Sequence, residues 1–396
     1  MGSSFVIFVI SLFLLAAITR ESFVFVVLYL VILSFVFGRW WIEKNRKSIL
    51  ISRQFTNKAF PGEKVKVQLT VCNTSIIPAV WVKVRDFYPV EVAAAPSFQR
   101  IISLAAKQQY KLSYDLQTYK RGFYRIGPSQ VTLGDLLGLV DEKISEGSSD
   151  FLTVYPKVIA LPGIRIPSKS PLGVIKHTQP VFEDPSRPWG KRDYQSGDSI
   201  RRIDWKASAT AGKLQVKIFE PSIALEALIL LNLDHQDYAF RTYFDATELA
   251  ITTTASIASR IIDLKQSVGL VTNGLDPLIT GNQSPPAIPP RKGRNHLMRI
   301  LEILARVKTE SSVNFVSLLN ATRTNLSWGT TLIIITGSVN QNLFREIFQS
   351  RKSGLNPFLI ICGENPDISE IRAQARHFDI PVIYLRSEKD LDIWRK

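Results

Sequence analysis

The densest run of chemistry-bearing side chains is Arg192-Asp193-Tyr194-Gln195-Ser196-Gly197-Asp198-Ser199-Ile200-Arg201-Arg202-Ile203-Asp204-Trp205-Lys206-Ala207-Ser208-Ala209. Guanidinium forks facing carboxylates form paired, charge-assisted hydrogen bonds, and Tyr194 and Trp205 offer ring faces on which an arginine can stack. One reading makes the run a lock for an irregular loop, in which Arg201, Asp204 and Trp205 hold the fold. A second makes it a docking surface, or a seat for an anionic group between Arg201 and Arg202. A third uses Asp198 and Asp204 as an acid/base pair, although nothing in the sequence fixes their separation. Between Glu183 and Glu220 stand eight basic and six acidic residues, a near balance that favours internal ion pairs over a phosphate-binding strip. Gly197 ahead of Asp198 suits a turn with positive φ.

Other chemistry finds little support. The four histidines, His177, His235, His296 and His377, are scattered, as are the two cysteines, Cys72 and Cys362, so no local metal spacing or disulfide framework exists and a reducing compartment fits. A Walker A loop, a Gly-x-Ser-x-Gly elbow, His-Glu-x-x-His, Cys-x-x-Cys and Gly-x-Gly-x-x-Gly are all missing. No cofactor, no metal and no enzymatic activity are expected.

The chain that must position these residues has 396 residues, is 45% hydrophobic and carries 49 Lys+Arg against 34 Asp+Glu. That composition excludes a disordered chain or a lone small domain. Residues 1–42 hold two uncharged runs, Gly2 to Thr19 and Phe23 to Gly38, interrupted by Arg20 and Glu21. A transmembrane helical hairpin is expected, with Trp40 and Trp41 as interface anchors; one long helix would bury both charges. Arg39, Lys44, Arg46 and Lys47 follow the second run, which places the remainder in the cytoplasm, as expected of a multi-pass protein of a cell inner membrane. A cleaved signal peptide is the competing reading; no Lys or Arg precedes the apolar run, and a second apolar run follows it. The sequons at Asn73, Asn282, Asn320 and Asn325 then count as chance.

Residues 43–157 change to a period of two, with Val65, Val67, Leu69 and Val71 alternating with polar residues. The pattern returns in Val80, Val82, Val84 and in Tyr110, Leu112, Tyr114, Leu116, and seven or eight such strands predict an immunoglobulin-like β-sandwich. Residues 158–220 comprise a connector rich in proline (Pro162, Pro167, Pro171, Pro180, Pro185, Pro188) and the Arg/Asp/Trp run. Residues 221–396 alternate strand and helix. Strands are predicted at 225–233, 268–272, 331–336, 358–362 and 382–385, and helices at 248–264, 294–308, 340–352 and 368–378, the first with Asp245 and Glu248 as a capping box. This is a parallel α/β pattern, whose ligands sit beyond the strand C-termini, here at Asp234, Asp237 and Thr336. Pro285, Pro286, Pro289 and Pro290 before Arg291, Lys292 and Arg294 read as an exposed basic loop.

The spaced run Arg192-x-Tyr194-x-x-Gly197-Asp198-x-x-Arg201-x-Ile203-Asp204-Trp205-x-x-Ser208-Ala209, followed by Leu214, Val216, Lys217 and Glu220, resembles the signature of the bacterial domain of unknown function 58 family. Arg121-Gly122, Gly127-Pro128, Asp135-x-x-Gly138-Leu139 and Tyr155-Pro156 add to the likeness. The resemblance implies a membrane-anchored protein with a C-terminal von Willebrand factor A-like domain, and a MoxR-type AAA+ ATPase as partner, in an adaptor or co-chaperone role. An A-type domain with an adhesion-type metal site would carry Asp-x-Ser-x-Ser. Here Asp234 is followed by Gln236 and Tyr238 in the serine positions, and the later strand ends at Thr336-Gly337-Ser338 without a carboxylate. Magnesium demands several hard oxygen ligands, so the site is expected to be degenerate and to hold no metal. The competing functions are nucleic-acid or anionic-lipid binding through the basic residues, and an unrecognised enzyme using Asp198 and Asp204.

Overall fold

The computed structural model describes residues 2–19, 21–93, 95–134, 141–163, 183–221, 226–279 and 283–394. Arg20, Asp135, Gly138, Leu139, Pro167, Pro171, His177, Pro180, Leu225 and Asn282 lie outside them. The chain forms two compact units that meet in sequence at Lys157 and Val158.

The first unit opens with two apolar helices, α1 (Gly2–Thr19) and α2 (Ser22–Asn45). Among the described residues one helix, α2, is long and apolar enough to cross a membrane, and Ile7–Thr19 is a shorter apolar stretch. The break between them falls at Glu21, which is extended and caps α2 without a side-chain hydrogen bond. After a tight turn the chain enters ten short strands: β1 (Ile49–Gln54), β2 (Lys58–Ala59), β3 (Lys64–Asn73), β4 (Ala79–Phe87), β5 (Ser97–Leu104), β6 (Gln109–Gln117), β7 (Gly122–Ile126), β8 (Ser129–Gly134), β9 (Asp141–Glu146) and β10 (Asp150–Val154). They pair as β1-β3-β6, β2-β10-β7 and β5-β4-β8-β9.

The two-residue period decides the packing. Val65, Val67, Leu69 and Val71 on β3 are all buried, since alternate side chains share one face of a strand. Leu69 and Val71 meet Val82 and Val84 of β4 and Val131 and Leu133 of β8 in one core, while Val65 and Val67 join Leu116, Ile126, Leu152 and Val154 in a second. A sandwich of facing sheets results. Val80 departs from the expected alternation, being exposed because the β4–β5 register slips between Ala79 and Val82.

One feature of this unit escaped the sequence. Arg53, 3% exposed, lays its fork on fully buried Asp86, Nε to Oδ2 at 3.0 Å and Nη2 to Oδ1 at 2.5 Å. Its Nη1 donates to Asp150 Oδ2 at 2.8 Å and to the carbonyls of Ile126 and Ser148 at 3.0 and 3.1 Å. The Tyr114 hydroxyl donates to Asp86 Oδ2 at 2.8 Å, and burial with the neighbouring carboxylate pushes the phenol well above its ordinary range. Strands β1, β4 and β6 and the β7–β8 and β9–β10 turns are thereby tied at one point.

The second unit begins with a two-stranded antiparallel arm, β11 (Glu183–Asp193) and β12 (Gln215–Pro221), enclosing the short helix α3 (Trp205–Ala211). Proline had argued for a plain extended connector up to residue 190. The structure instead accommodates Pro185 and Pro188 in a two-stranded ladder whose register slips on both sides of Pro188, where a missing N–H costs least.

Beyond it stand β13 (Glu226–Leu231), α4 (Tyr243–Asp263), β14 (Ser267–Thr272), β15 (Gly274–Leu275), β16 (Ile288–Arg291), α5 (Arg294–Arg306), β17 (Lys308–Ser311), α6 (Phe315–Arg323), β18 (Thr331–Thr336), α7 (Gln341–Lys352), β19 (Asn356–Cys362), α8 (Ile368–His377) and β20 (Val382–Leu385). Six strands form one sheet in the order β16-β14-β13-β18-β19-β20, parallel throughout except for β16. Every residue of β14 and β18 is buried, as continuous apolar runs predict for strands covered on both faces. The expected capping box is not formed: α4 starts at Tyr243, so Asp245 lies inside its first turn. Arg291 is not loop but the end of edge strand β16, which pairs antiparallel with β14.

Candidate functional site

In the signature arm the carboxylates are occupied. Arg192 grips Asp198 with both Nη atoms at 2.7 Å, and Asp198 Oδ2 also accepts from the backbone N–H of Gln195 at 2.9 Å. That loop closes through Gly197 at φ +109°, a conformation that side-chain-bearing residues rarely adopt. Asp204 is the N-cap of α3, accepting from Ala207 N–H at 3.1 Å, and its second oxygen meets Lys191 Nζ at 2.9 Å. Ser208, 8% exposed, donates to the Asp204 carbonyl at 2.8 Å while its oxygen accepts the Gln215 N–H at 2.8 Å, which clips α3 onto β12. The Tyr194 N–H donates to the Leu214 carbonyl at 2.8 Å, and buried Ile203 bridges Val216.

The hydrogen bond from Arg192 holds the Asp198 carboxyl below its usual range, and that from Lys191 does the same for Asp204. A depressed carboxyl stabilises the folded arm above the ordinary carboxylate pKa and loses that contribution as pH falls through the lowered value. Both groups are acceptors held in the charged state.

Other side chains of the run are exposed. Trp205 is 65% exposed and Ile200 68% exposed. Arg201 is exposed and forms no ion pair among the described residues. Arg201 and Trp205, expected to hold the fold together with Asp204, therefore stand free of that task. Asp204 and Ser208 carry it instead.

At the C-terminal edge of the parallel sheet, Asp234, Tyr238 and Thr336 converge around two asparagines, whereas Gln236 is exposed and joins them through its backbone N–H. Asn232, wholly buried, donates from Nδ2 to Asp237 Oδ2 at 2.6 Å and to Thr336 Oγ1 at 3.0 Å. Its Oδ1 accepts from Asn273 Nδ2 at 2.9 Å and from Asp234 N–H at 3.0 Å, and its carbonyl accepts the Tyr238 hydroxyl at 2.6 Å. Thr336 donates onward to the Ser338 carbonyl at 3.0 Å, and Asp234 Oδ1 accepts the Gln236 N–H at 3.1 Å. The Tyr238 ring lies so close to Gly337 that a Cβ there would collide with it. Where a cation would need open oxygens, the groups bond one another. Among the described residues no group of three or more His, Cys, Asp and Glu side chains is placed to hold a metal ion. Asn232 and Asn273 were missed from sequence; each is the polar residue following an apolar strand, a weak but readable signal.

Burial raises the Asp237 carboxyl above its ordinary value, against the opposing hydrogen bond from Asn232. A raised carboxyl disfavours the charged folded state, so stability falls as pH rises through the interval between the unfolded and the raised values. Asp237→Asn keeps an acceptor for Asn232 without the charge. We expect this variant to melt at or above the wild-type temperature at pH 7 and to lose that advantage at pH 4. A midpoint several degrees lower at pH 7 would show that the charge itself is needed.

Architecturally this is a multidomain chain: an apolar N-terminal helix, a sheet-rich middle region, and a unit in which an exposed-tryptophan arm precedes a parallel sheet. Residues 190–347 match the family described as protein of unknown function DUF58, a span holding the signature run, the end of β11, β12 and the sheet strands β13, β14, β16 and β18. A relative, Uncharacterized protein YeaD of Bacillus subtilis, is 24% identical over 65% of this chain. The alignment covers 62% of the relative, so the chain spans less than two thirds of its length. Among solved structures, a CARDB domain from Pyrococcus furiosus overlaps 27% of this chain and 91% of its own at 17% identity and TM-score 0.22. A β-glucosidase from Listeria innocua overlaps 27% of this chain and 16% of its own at 12% identity and TM-score 0.20.

Proposed function

We propose that this is a membrane-anchored, cytoplasmic adaptor that presents the signature arm to a protein partner, a MoxR-type AAA+ ATPase, from a unit of von Willebrand factor A-like architecture whose metal site is closed. The observation that carries the reading is the division of labour in the arm. Arg192, Asp198, Lys191, Asp204 and Ser208 are spent on holding a rigid frame, while Trp205, Ile200 and Arg201 stand exposed on it. Tryptophan and arginine are the side chains most enriched among residues that dominate binding energy, and a rigid frame limits the entropy lost on docking.

Anchoring is supported by α2, which continues unbroken past its apolar run to Ile42, a residue 1% exposed within the sandwich core. A leader destined for cleavage has no reason to supply a core residue to the mature fold. The acid/base reading draws less support, because Asp198 and Asp204 each have a cationic partner and a backbone N–H, which favours a fixed negative charge over proton transfer.

The test is equilibrium binding of the folded chain, held in detergent or nanodiscs, to the purified ATPase with and without ATP. Trp205→Ala is expected to weaken the complex by about thirtyfold or more, the scale of a binding hot spot, with an unchanged melting temperature. Asp204→Ala should lower the melting temperature first. No complex in either nucleotide state would sink the adaptor reading for that partner.

A further inference from the structure

Within the first unit, α2 does not end in a flexible tether. Its last turns are part of the sandwich: Ile42 is buried in the core, the Trp41 indole donates to the Pro78 carbonyl at 3.0 Å, and the Ser48 carbonyl accepts both the N–H and the hydroxyl of Thr74 at 2.8 and 2.9 Å. The β3–β4 loop, Thr74 to Pro78, is therefore fixed against the end of the helix. The β5–β6 turn lies beside it, since Lys107 N–H donates to the Ser75 carbonyl at 3.0 Å and Asn73 Nδ2 donates to the Ala105 carbonyl at 3.0 Å.

Depth follows from helix geometry. At ~1.5 Å per residue, the stretch from Ser22 to Trp41 spans about 30 Å, the thickness of a bilayer's hydrocarbon core. That sets Trp41 at the far interface, where indoles favour the headgroup level. Pro78 touches Trp41, and Ile76 is only two residues from Pro78, within about 8 Å of it along the chain. The headgroup region adds roughly 5 to 8 Å on each side of the core, so Ile76 falls inside or at the edge of it.

The side chains presented there suit that position and would be costly in water. Ile76 is 81% exposed at the loop tip, as apolar as a side chain can be, and beside it stands exposed Lys107. Exposed Lys44 and Lys47 flank the helix end, while Arg46 is shared between Glu43 at 3.6 Å and Glu142 at 3.4 Å. An apolar tip with lysines on the adjoining turn and at the helix end complements an anionic leaflet.

We propose that the β3–β4 loop and the β5–β6 turn form a bilayer-contact surface for anionic lipid, with Ile76 inserted among the headgroups and Lys107, Lys44 and Lys47 against lipid phosphates. The sandwich is thereby held upright on the membrane at two points, the helix and the loop tip. This rests on the membrane-anchor reading of α2.

The test uses the full chain with Cys72→Ser, which removes a partly exposed native thiol, reconstituted into vesicles of phosphatidylglycerol and phosphatidylcholine with a polarity-sensitive fluorophore on a single introduced cysteine. Position 76 (Ile76→Cys) is the probe. Position 119 (Tyr119→Cys) is the control, because Tyr119 is 69% exposed but follows the opposite end of β6, about 27 Å along the strand from Gln109. Position 30 (Leu30→Cys) reports on the helix itself. Nitroxide-labelled lipid should quench positions 30 and 76 and leave position 119 bright, and position 76 should emit at shorter wavelength than position 119. Lys107→Glu should shift the loop out of contact by about fivefold for each unit of charge changed, seen as lost quenching at position 76 in anionic vesicles. Quenching at 30 with none at 76 above the level of 119 would overturn the contact surface alone. Absence of quenching at 30 would overturn the anchor on which it rests.

Discussion

Asp86→Ala is expected to unfold most of the sandwich's stability margin, by about 3 to 5 kcal/mol, because it leaves the Arg53 guanidinium buried without its bidentate partner. The cost lies in the orphaned charge more than in the lost attraction. Arg53 is 3% exposed on its side chain, and Asp150, its remaining carboxylate, is 43% exposed and shares only one of its nitrogens. Tyr114 loses its acceptor at the same time. A domain of this size is stable by only about 5 to 15 kcal/mol, so a loss of that order should be visible as a melting temperature lowered by ten degrees or more. Replacing both partners separates the two explanations. Arg53→Met with Asp86→Leu removes both charges and fills similar space, and should recover much of the loss. A double variant as unstable as Asp86→Ala would mean that the hydrogen bonds from Arg53 to the Ile126 and Ser148 carbonyls, rather than charge pairing, tie the strands together.

Why this cluster was illegible from sequence is instructive. Arg53, Asp86 and Asp150 are far apart along the chain and sit at alternate positions of ordinary-looking strands, so no local pattern joins them. The period of two placed Val65, Val67, Leu69 and Val71 correctly because burial on one strand face is a local property. The same holds for the wholly buried strands β14 and β18, whose centres are apolar whatever the partner strand. Elements set by tertiary context were less readable. Helix α6 carries no readable sequence pattern, although Asn314 caps it by accepting from the N–H groups of Val316 and Ser317 at 2.9 and 3.3 Å, because its nine residues are too few to show a period. Edge strand β16 was hidden by its prolines, which are tolerated there because an edge needs fewer donors. In the signature run the residue types announced importance without assigning roles. Arg192 and Arg201 are the same residue nine positions apart, yet the first clamps Asp198 and the second stands exposed, a distinction made by the turn at Gly197 and by the helix that Asp204 starts.

Ile42→Ala is expected to destabilise the sandwich by about 2 to 5 kcal/mol, the ordinary cost of truncating a buried isoleucine, even though Ile42 belongs to the apolar helix. Ile42 is 1% exposed and packs with Ile49, Leu69, Val71, Val82 and Val131, so its loss opens a cavity between the sheets. Nearby Asn45, also wholly buried, donates to the Trp41 carbonyl at 3.1 Å and accepts the Ser48 N–H on its own carbonyl at 3.0 Å, which turns the chain from helix to β1 without slack. The consequence is mechanical as well as energetic: a helix that donates to the core cannot swivel independently of the sheets, so under the proposed anchoring its tilt would set the orientation of the sandwich. Val36→Ala, two turns earlier and 56% exposed, removes apolar surface of the same kind from the same helix without opening the core. Thermal unfolding of the full chain in nanodiscs, followed by protease resistance of the sandwich, compares the two. Ile42→Ala should shift the midpoint by several degrees and Val36→Ala by little. Equal midpoints for both variants would show that the helix is merely appended to the sandwich, and would remove the structural argument that it is kept in the mature protein.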